Sequence, residues 1–170
     1  CEFFGLNEVA NFWNSVVTLN DWHQNRISEL IAKKLFGTLS GKKIVILGFA
    51  FKANTNDTRE SAAIRICKNL LEEGALLHIH DPKVTKKQIA NDLGSEPNQE
   101  LFTTNNQNRD LVSSWNFISD IDVCFINADA VVILTEWEEY TKIDWKLAST
   151  KMRKPSWIFD SRSVIEPNDM

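Results

Sequence analysis

The chain has 170 residues, 43% hydrophobic and 25% charged, with 19 Lys+Arg against 23 Asp+Glu for a net charge of −4. That balance excludes a disordered tail, a coiled-coil rod and a collagen-like repeat, and the lack of any basic run argues against a nucleic-acid surface. No apolar stretch approaches the ~20 residues of a bilayer span, and Cys1-Glu2-Phe3-Phe4 carries no secretory n-region or cleavage site, so a cytoplasmic protein that binds neither nucleic acid nor membrane is expected.

The chain begins at Cys1 rather than Met, inside what reads as helical sequence, and a fragment is expected. Apolar residues then recur at steps of three and four: Val9, Phe12, Trp13, Val16, Ile27, Leu30, Ile31 and Leu35, with no Pro or Gly between Leu6 and Phe36. This spacing predicts one helix of roughly 30 residues with an apolar stripe, about 45 Å long. Such a length suits a spine between domains or subunits. Gly37 supplies the C-cap and Ser40-Gly41 the turn.

After Gly41 the period changes. Ile44-Val45-Ile46-Leu47-Gly48-Phe49 reads as a strand buried on both faces. A loop rich in Asn, Asp and Thr follows from Phe51 to Arg59. Next come a helix with Ile64, Cys67, Leu70 and Leu71 inward, and a second strand, Ala75 to Ile79, closed by Asp81-Pro82. This is a βαβ unit with a right-handed crossover. Residues Lys83 to Arg109 predict a short helix and a long surface loop, and Ile118 to Asn127 a further helix. Ala130 to Leu134 is a third strand, Ile143 to Met152 a helix, and Trp157-Ile158-Phe159 a fourth strand ending at Asp160. The alternation gives an α/β fold, a Rossmann-like doubly wound parallel sheet preceded by a long α-helix.

In such a sheet ligands bind at the carboxyl ends of the strands. The first exit places Lys52 just past the strand, where its ammonium could meet a phosphate. Arg59 could add a forked contact beside a helix start. The competing reading is a helix capped by Asp57 or Thr58, with Glu60 in support and Arg59 solvated. Neither GxGxxG nor GK[ST] is present. Cys1, Cys67 and Cys124 form no CxxC and read as reduced, mostly buried thiols. His78 and His80 share one strand face, but with no third ligand evident they predict packing rather than a metal site.

Four strings taken together carry more: GFAFKANTNDTRES (48–61), LHIHDPKV (77–84), VVILTEW (131–137) and FDSR (159–162), in this order. They resemble the C-terminal portion of the UDP-glucose 6-dehydrogenases, in the UDP-glucose/GDP-mannose dehydrogenase family, and residues 1–36 resemble the end of that family's central helical domain. The likeness is weakest from Ile89 to Ser119. It implies a division at 1–38 (end of the helical dimerisation domain) and 39–170 (UDP-binding domain), and a homodimer through the 7–36 helix. Members oxidise the C6 alcohol of a UDP-sugar to a carboxylate with two NAD and a covalent cysteine. Carried over by position, Phe51 and Lys52 hold the UDP-sugar, Arg162 of the FDxR motif reaches the substrate, and Arg59 faces the NAD cofactor.

The departures matter equally. The family's Gly-Gly-Ser-Cys-Phe type motif and its glycine-rich NAD fingerprint do not occur in this chain, Cys1 aligns with a later cysteine, and the second arginine some members carry after FDxR is Ser163 here. The resemblance therefore implies no catalytic residue and no metal ligand in this chain, which is expected to bind a UDP-sugar without turnover. The alternatives are a fragment of a sibling acting on UDP-N-acetylmannosamine or GDP-mannose, and a non-catalytic nucleotide-binding or dimerisation module.

Overall fold

β-Branched side chains at Ile44, Val45 and Ile46 crowd a helix but pack well on a pleated surface covered on both sides, and they form the centre of the sheet. A computed structural model describes residues 1–98 and 114–166. Its sheet contains β1 (Lys43–Leu47), β2 (Leu76–His80), β3 (Ser114–Phe117), β4 (Ala130–Ile133) and β5 (Trp157–Asp160), all parallel, in the order β3-β2-β1-β4-β5. In register, Ile46 of β1 lies between Ile79 of β2 and Val132 of β4. The connection order reverses between β1 and β4, which is where such a sheet opens a crevice. β1, β2 and β4 supply a dry centre of Ile44, Val45, Ile46, Leu47, Leu77 and Val131, all fully buried.

The helices are α1 (Asn7–Lys34), α2 (Ala62–Glu72), α3 (Lys86–Leu93), α4 (Ile121–Cys124), α5 (Glu138–Thr141) and α6 (Trp145–Lys151). α3 opens with a capping box in which Thr85 and Gln88 satisfy each other's backbone N–H groups. α1 runs for 28 residues. Gly37, at φ +77°, closes it by donating to the Ala32 carbonyl at 2.9 Å. Only the last turns of α1 reach the core, through Ile31 and Leu35, and Ile27 is partly buried. Asp21 pairs with Arg65, and Asn25 accepts from Asn69, so the middle of α1 leans on α2 through polar contacts.

Val9, Phe12 and Trp13 of the apolar stripe are exposed, because a 28-residue helix outruns the layer it packs on. Several expectations are corrected. The start of the chain is not helical sequence continuous with α1. Glu2–Phe4 form a separate 3-10 turn, and Gly5 at φ +71° breaks the direction. Among the described residues five strands are present where four were expected. Ser114–Phe117 pairs with β2 as β3, and the helix expected over 118–127 shrinks to α4 behind the N-cap Asp120. The long loop expected toward Arg109 lies largely outside the described residues.

Candidate functional site

The three strand ends around the reversal are tied together by one buried carboxylate. Asp81, directly after β2 and 4% exposed, accepts from the N–H groups of Phe49 at 2.7 Å and Ala50 at 3.0 Å through Oδ2. The same oxygen accepts from the Trp137 indole at 3.2 Å, and Oδ1 accepts from the N–H groups of Lys83 and Val84, each at 2.8 Å. The carbonyls beside those N–H groups are fixed as well. Ser61 Oγ donates to Phe49 O at 2.8 Å, and Thr135 Oγ1 donates to Ala50 O at 2.7 Å. Gly48 makes the turn possible. Its φ is +90°, and a Cβ there would lie 2.4 Å from the Thr135 Cβ.

From this platform the chain projects its two expected substrate residues. Phe51 is half exposed, with its N–H bonded to the Asp57 carbonyl at 2.8 Å. Lys52 is exposed, and no hydrogen bond or ion pair holds its ammonium among the described residues. The β5 exit brings the third. Arg162 Nε donates to the Leu134 carbonyl at 2.8 Å and lies 3.6 Å from Glu136, so its side chain folds over the β4 exit. Asp160 shapes that turn by accepting from the N–H groups of Arg162, Val164 and Ile165. Phe51, Lys52 and Arg162 thus sit on strand exits that share the Ala50–Thr135–Leu134 backbone.

Arg59 stands apart. Its Nε and Nη2 grip the Asp57 carboxylate at 2.9 and 2.7 Å, and its side chain is 88% exposed. This fork holds the Asp57 carboxyl down at about 2. The expected cap is corrected here: α2 begins at Ala62 with Ser61 as N-cap, because Asp57 is consumed by Arg59 and the Thr58 carbonyl accepts from the Ser61 N–H. Arg59 therefore belongs to the loop, not to the first turn of the helix.

The β2 exit is electrostatically quiet. Tyr140 Oη donates to the His80 carbonyl at 3.1 Å and lies 3.0 Å from His80 Nδ1, so that ring nitrogen is the donor between them. Burial lowers the His80 pKa, and burial together with the charge of Lys43 lowers that of His78 to about 3. Among the described residues no group of three His, Cys, Asp or Glu is arranged to hold a metal. Burial pushes the Cys124 thiol up to about 12, and raises that of Cys67 also, which leaves both poor nucleophiles. Asp81 and Thr135, which hold the turn after β1, were not singled out by motif reading. The Asp-Pro was read only as the close of a strand, not as a reach across to β1.

A parallel sheet with this order, carrying Lys52 and Arg162 past the carboxyl ends of its strands, has the architecture of an α/β nucleotide-binding domain. The chain belongs to the UDP-glucose/GDP-mannose dehydrogenase family, whose UDP binding domain matches residues 45–167. It is 45% identical over 166 residues to UDP-glucose 6-dehydrogenase of Gallus gallus, covering 98% of this chain and 32% of that one. With its counterpart in Drosophila melanogaster the identity is 42% over 166 residues, covering 98% and 34%. A UDP-glucose dehydrogenase from the hyperthermophilic archaeon Pyrobaculum islandicum shares the fold with a TM-score of 0.65 at 26% identity, over 89% of this chain and 28% of that one. The chain spans about a third of the length of the curated relatives it matches. Among the described residues no helix is long and apolar enough to cross a membrane.

Proposed function

We propose that this chain is the C-terminal, UDP-sugar-binding portion of a UDP-glucose 6-dehydrogenase, which converts UDP-glucose and two NAD to UDP-glucuronate. The observation that carries the reading is the carboxyl edge of the sheet, where an unengaged Lys52 follows β1 and Arg162, from the β5 exit, folds over the end of the intervening β4 within the matched region. Lys52 supplies a point charge and Arg162 a fork, the two usual ways of gripping a diphosphate. Phe51, half exposed, offers an apolar surface to the nucleoside or sugar. Anchoring the UDP end fixes the distance of the sugar C6 from the reacting groups, so remote binding energy serves the chemistry.

Residues 1–38 are assigned to the helical domain and 39–170 to the UDP-binding domain. A homodimer through the 7–36 helix is supported by the exposed Phe12, Trp13, Val17, Leu19 and Trp22 along α1. NAD, which accepts hydride from the C6 carbon, is assigned one contact on this chain, Arg59. Arg59 spends Nε and Nη2 on Asp57 and keeps Nη1 for an anionic group arriving from outside the domain. The reacting thiolate is assigned outside this chain, because Cys67 and Cys124 are buried with raised thiol pKa values, and the exposed Cys1 lacks the Gly-Gly-Ser-Cys-Phe type setting of the family's nucleophile. The test is an NADH absorbance assay of the purified 170-residue chain with UDP-glucose and NAD. No reduction is expected, and turnover would overturn the division of labour.

A further inference from the structure

We infer that Asp81 is the positioning residue of this site: its carboxylate sets the 49–52 turn from which Lys52 reaches the ligand. The inference rests on the UDP-binding reading above. Five N–H donors converge on this one side chain, from the turn after β1 (Phe49, Ala50), the turn after β2 (Lys83, Val84) and the indole after β4 (Trp137). Both oxygens therefore act only as acceptors. A carboxylate can meet that demand, and the isosteric amide of Asn cannot, since it must turn an NH2 toward one set of donors.

The arrangement also restricts how an anion can be held. In a glycine-rich dinucleotide fold the N–H groups of the first strand–helix turn face the pyrophosphate. Here the N–H groups of Phe49 and Ala50 already point at a buried anion. A diphosphate at this exit finds those two donors taken and a like charge beneath them. It must be bound through side chains above the turn, which places the burden on Lys52 and Arg162. With the Phe49 and Ala50 carbonyls pinned by Ser61 and Thr135, the peptide between Phe49 and Ala50 is held at both its C=O and its N–H, and the peptides on either side are each held as well. Lys52 then samples few starting directions, and ordering it on binding costs less.

The experiment combines calorimetric titration of the 170-residue chain with UDP and amide NMR, applied to wild type, Asp81→Asn, Lys52→Ala and the double variant. Asp81→Asn is expected to keep a cooperative fold, to shift the Phe49 and Ala50 amide resonances, and to weaken UDP at least tenfold. Because Asp81 acts through Lys52, the double variant should bind no more weakly than Lys52→Ala alone. A twofold or smaller change in Asp81→Asn, or losses that multiply in the double variant, would overturn the inference. If wild type itself fails to bind UDP, the functional reading falls, and the role of Asp81 is then judged by hydrogen exchange in wild type. That measurement also covers an Asp81→Asn chain that fails to fold. Phe49 and Ala50 amides should exchange as slowly as those of β1, and fast exchange there would overturn the positioning role.

Discussion

Gly48 and His78 are both buried in the sheet region, and each makes the molecule sensitive to a different perturbation. A methyl group at Gly48 meets Thr135 Cβ at 2.4 Å and Thr135 N at 2.8 Å, at a φ of +90° that L residues rarely adopt. Strain and overpacking together predict that Gly48→Ala loses roughly 2 kcal/mol or more of unfolding free energy. Urea denaturation measures this, and a change within about 0.5 kcal/mol, the range of neutral surface substitutions, would contradict it. His78 responds to acid. Its folded pKa of about 3 lies below the free imidazole value of 6.5, so between those limits the unfolded chain takes up a proton that the folded chain refuses. Stability from this group is complete above about pH 6.5 and is lost as pH falls, at a slope approaching about 1.4 kcal/mol per pH unit. His80, also lowered by burial, adds in the same direction. Denaturation midpoints at pH 7, 6 and 5 should fall steadily, and His78→Gln should flatten the profile. A flat wild-type profile would show that the imidazole is not held neutral.

At the scale of elements, α1 carries the clearest prediction. Phe12, Trp13 and Val17 are each more than half exposed, so replacing all three with Glu should leave the unfolding free energy within about 0.5 kcal/mol per site. The same variant should lower the sedimenting mass toward that of one chain. An unchanged mass would remove α1 as the dimer contact. The elements also show what sequence pattern conveys. β1, β2, β4 and β5 were legible as short β-branched or apolar runs, closed at Gly48, Asp81, Thr135 and Asp160. β3 was not, because Ser-Trp-Asn-Phe has no β-branched residue and becomes a strand only by pairing with β2. The periodicity of α1 was read correctly, but a stripe names a face and not its partner, and the core takes in only Ile31 and Leu35, with Ile27 and Ala32 packed against it. Phe51, Lys52, Arg59 and Arg162 were proposed from their motifs, and the structure places Phe51, Lys52 and Arg162 past strand ends and Arg59 in the loop before α2. Asp81 was not proposed, because its ties to Ala50, Phe49 and Trp137 span 31, 32 and 56 positions. Only the folded sheet brings those exits together.

At the scale of the whole molecule, the proposed function makes the chain a UDP-anchoring unit with side-chain cations at its strand exits, and leaves hydride and thiolate chemistry to be supplied elsewhere. Net charge of −4 gives no general attraction for a polyanion, so any nucleotide affinity must come from the local pair Lys52 and Arg162. The decisive measurement is calorimetric titration of the 170-residue chain with UDP and with GDP, repeated on Lys52→Ala. The account predicts saturable binding of UDP, markedly weaker binding of GDP, and at least a tenfold loss of UDP affinity in Lys52→Ala with an unchanged melting temperature. Equal binding of both nucleotides, or UDP affinity indifferent to Lys52, would contradict it.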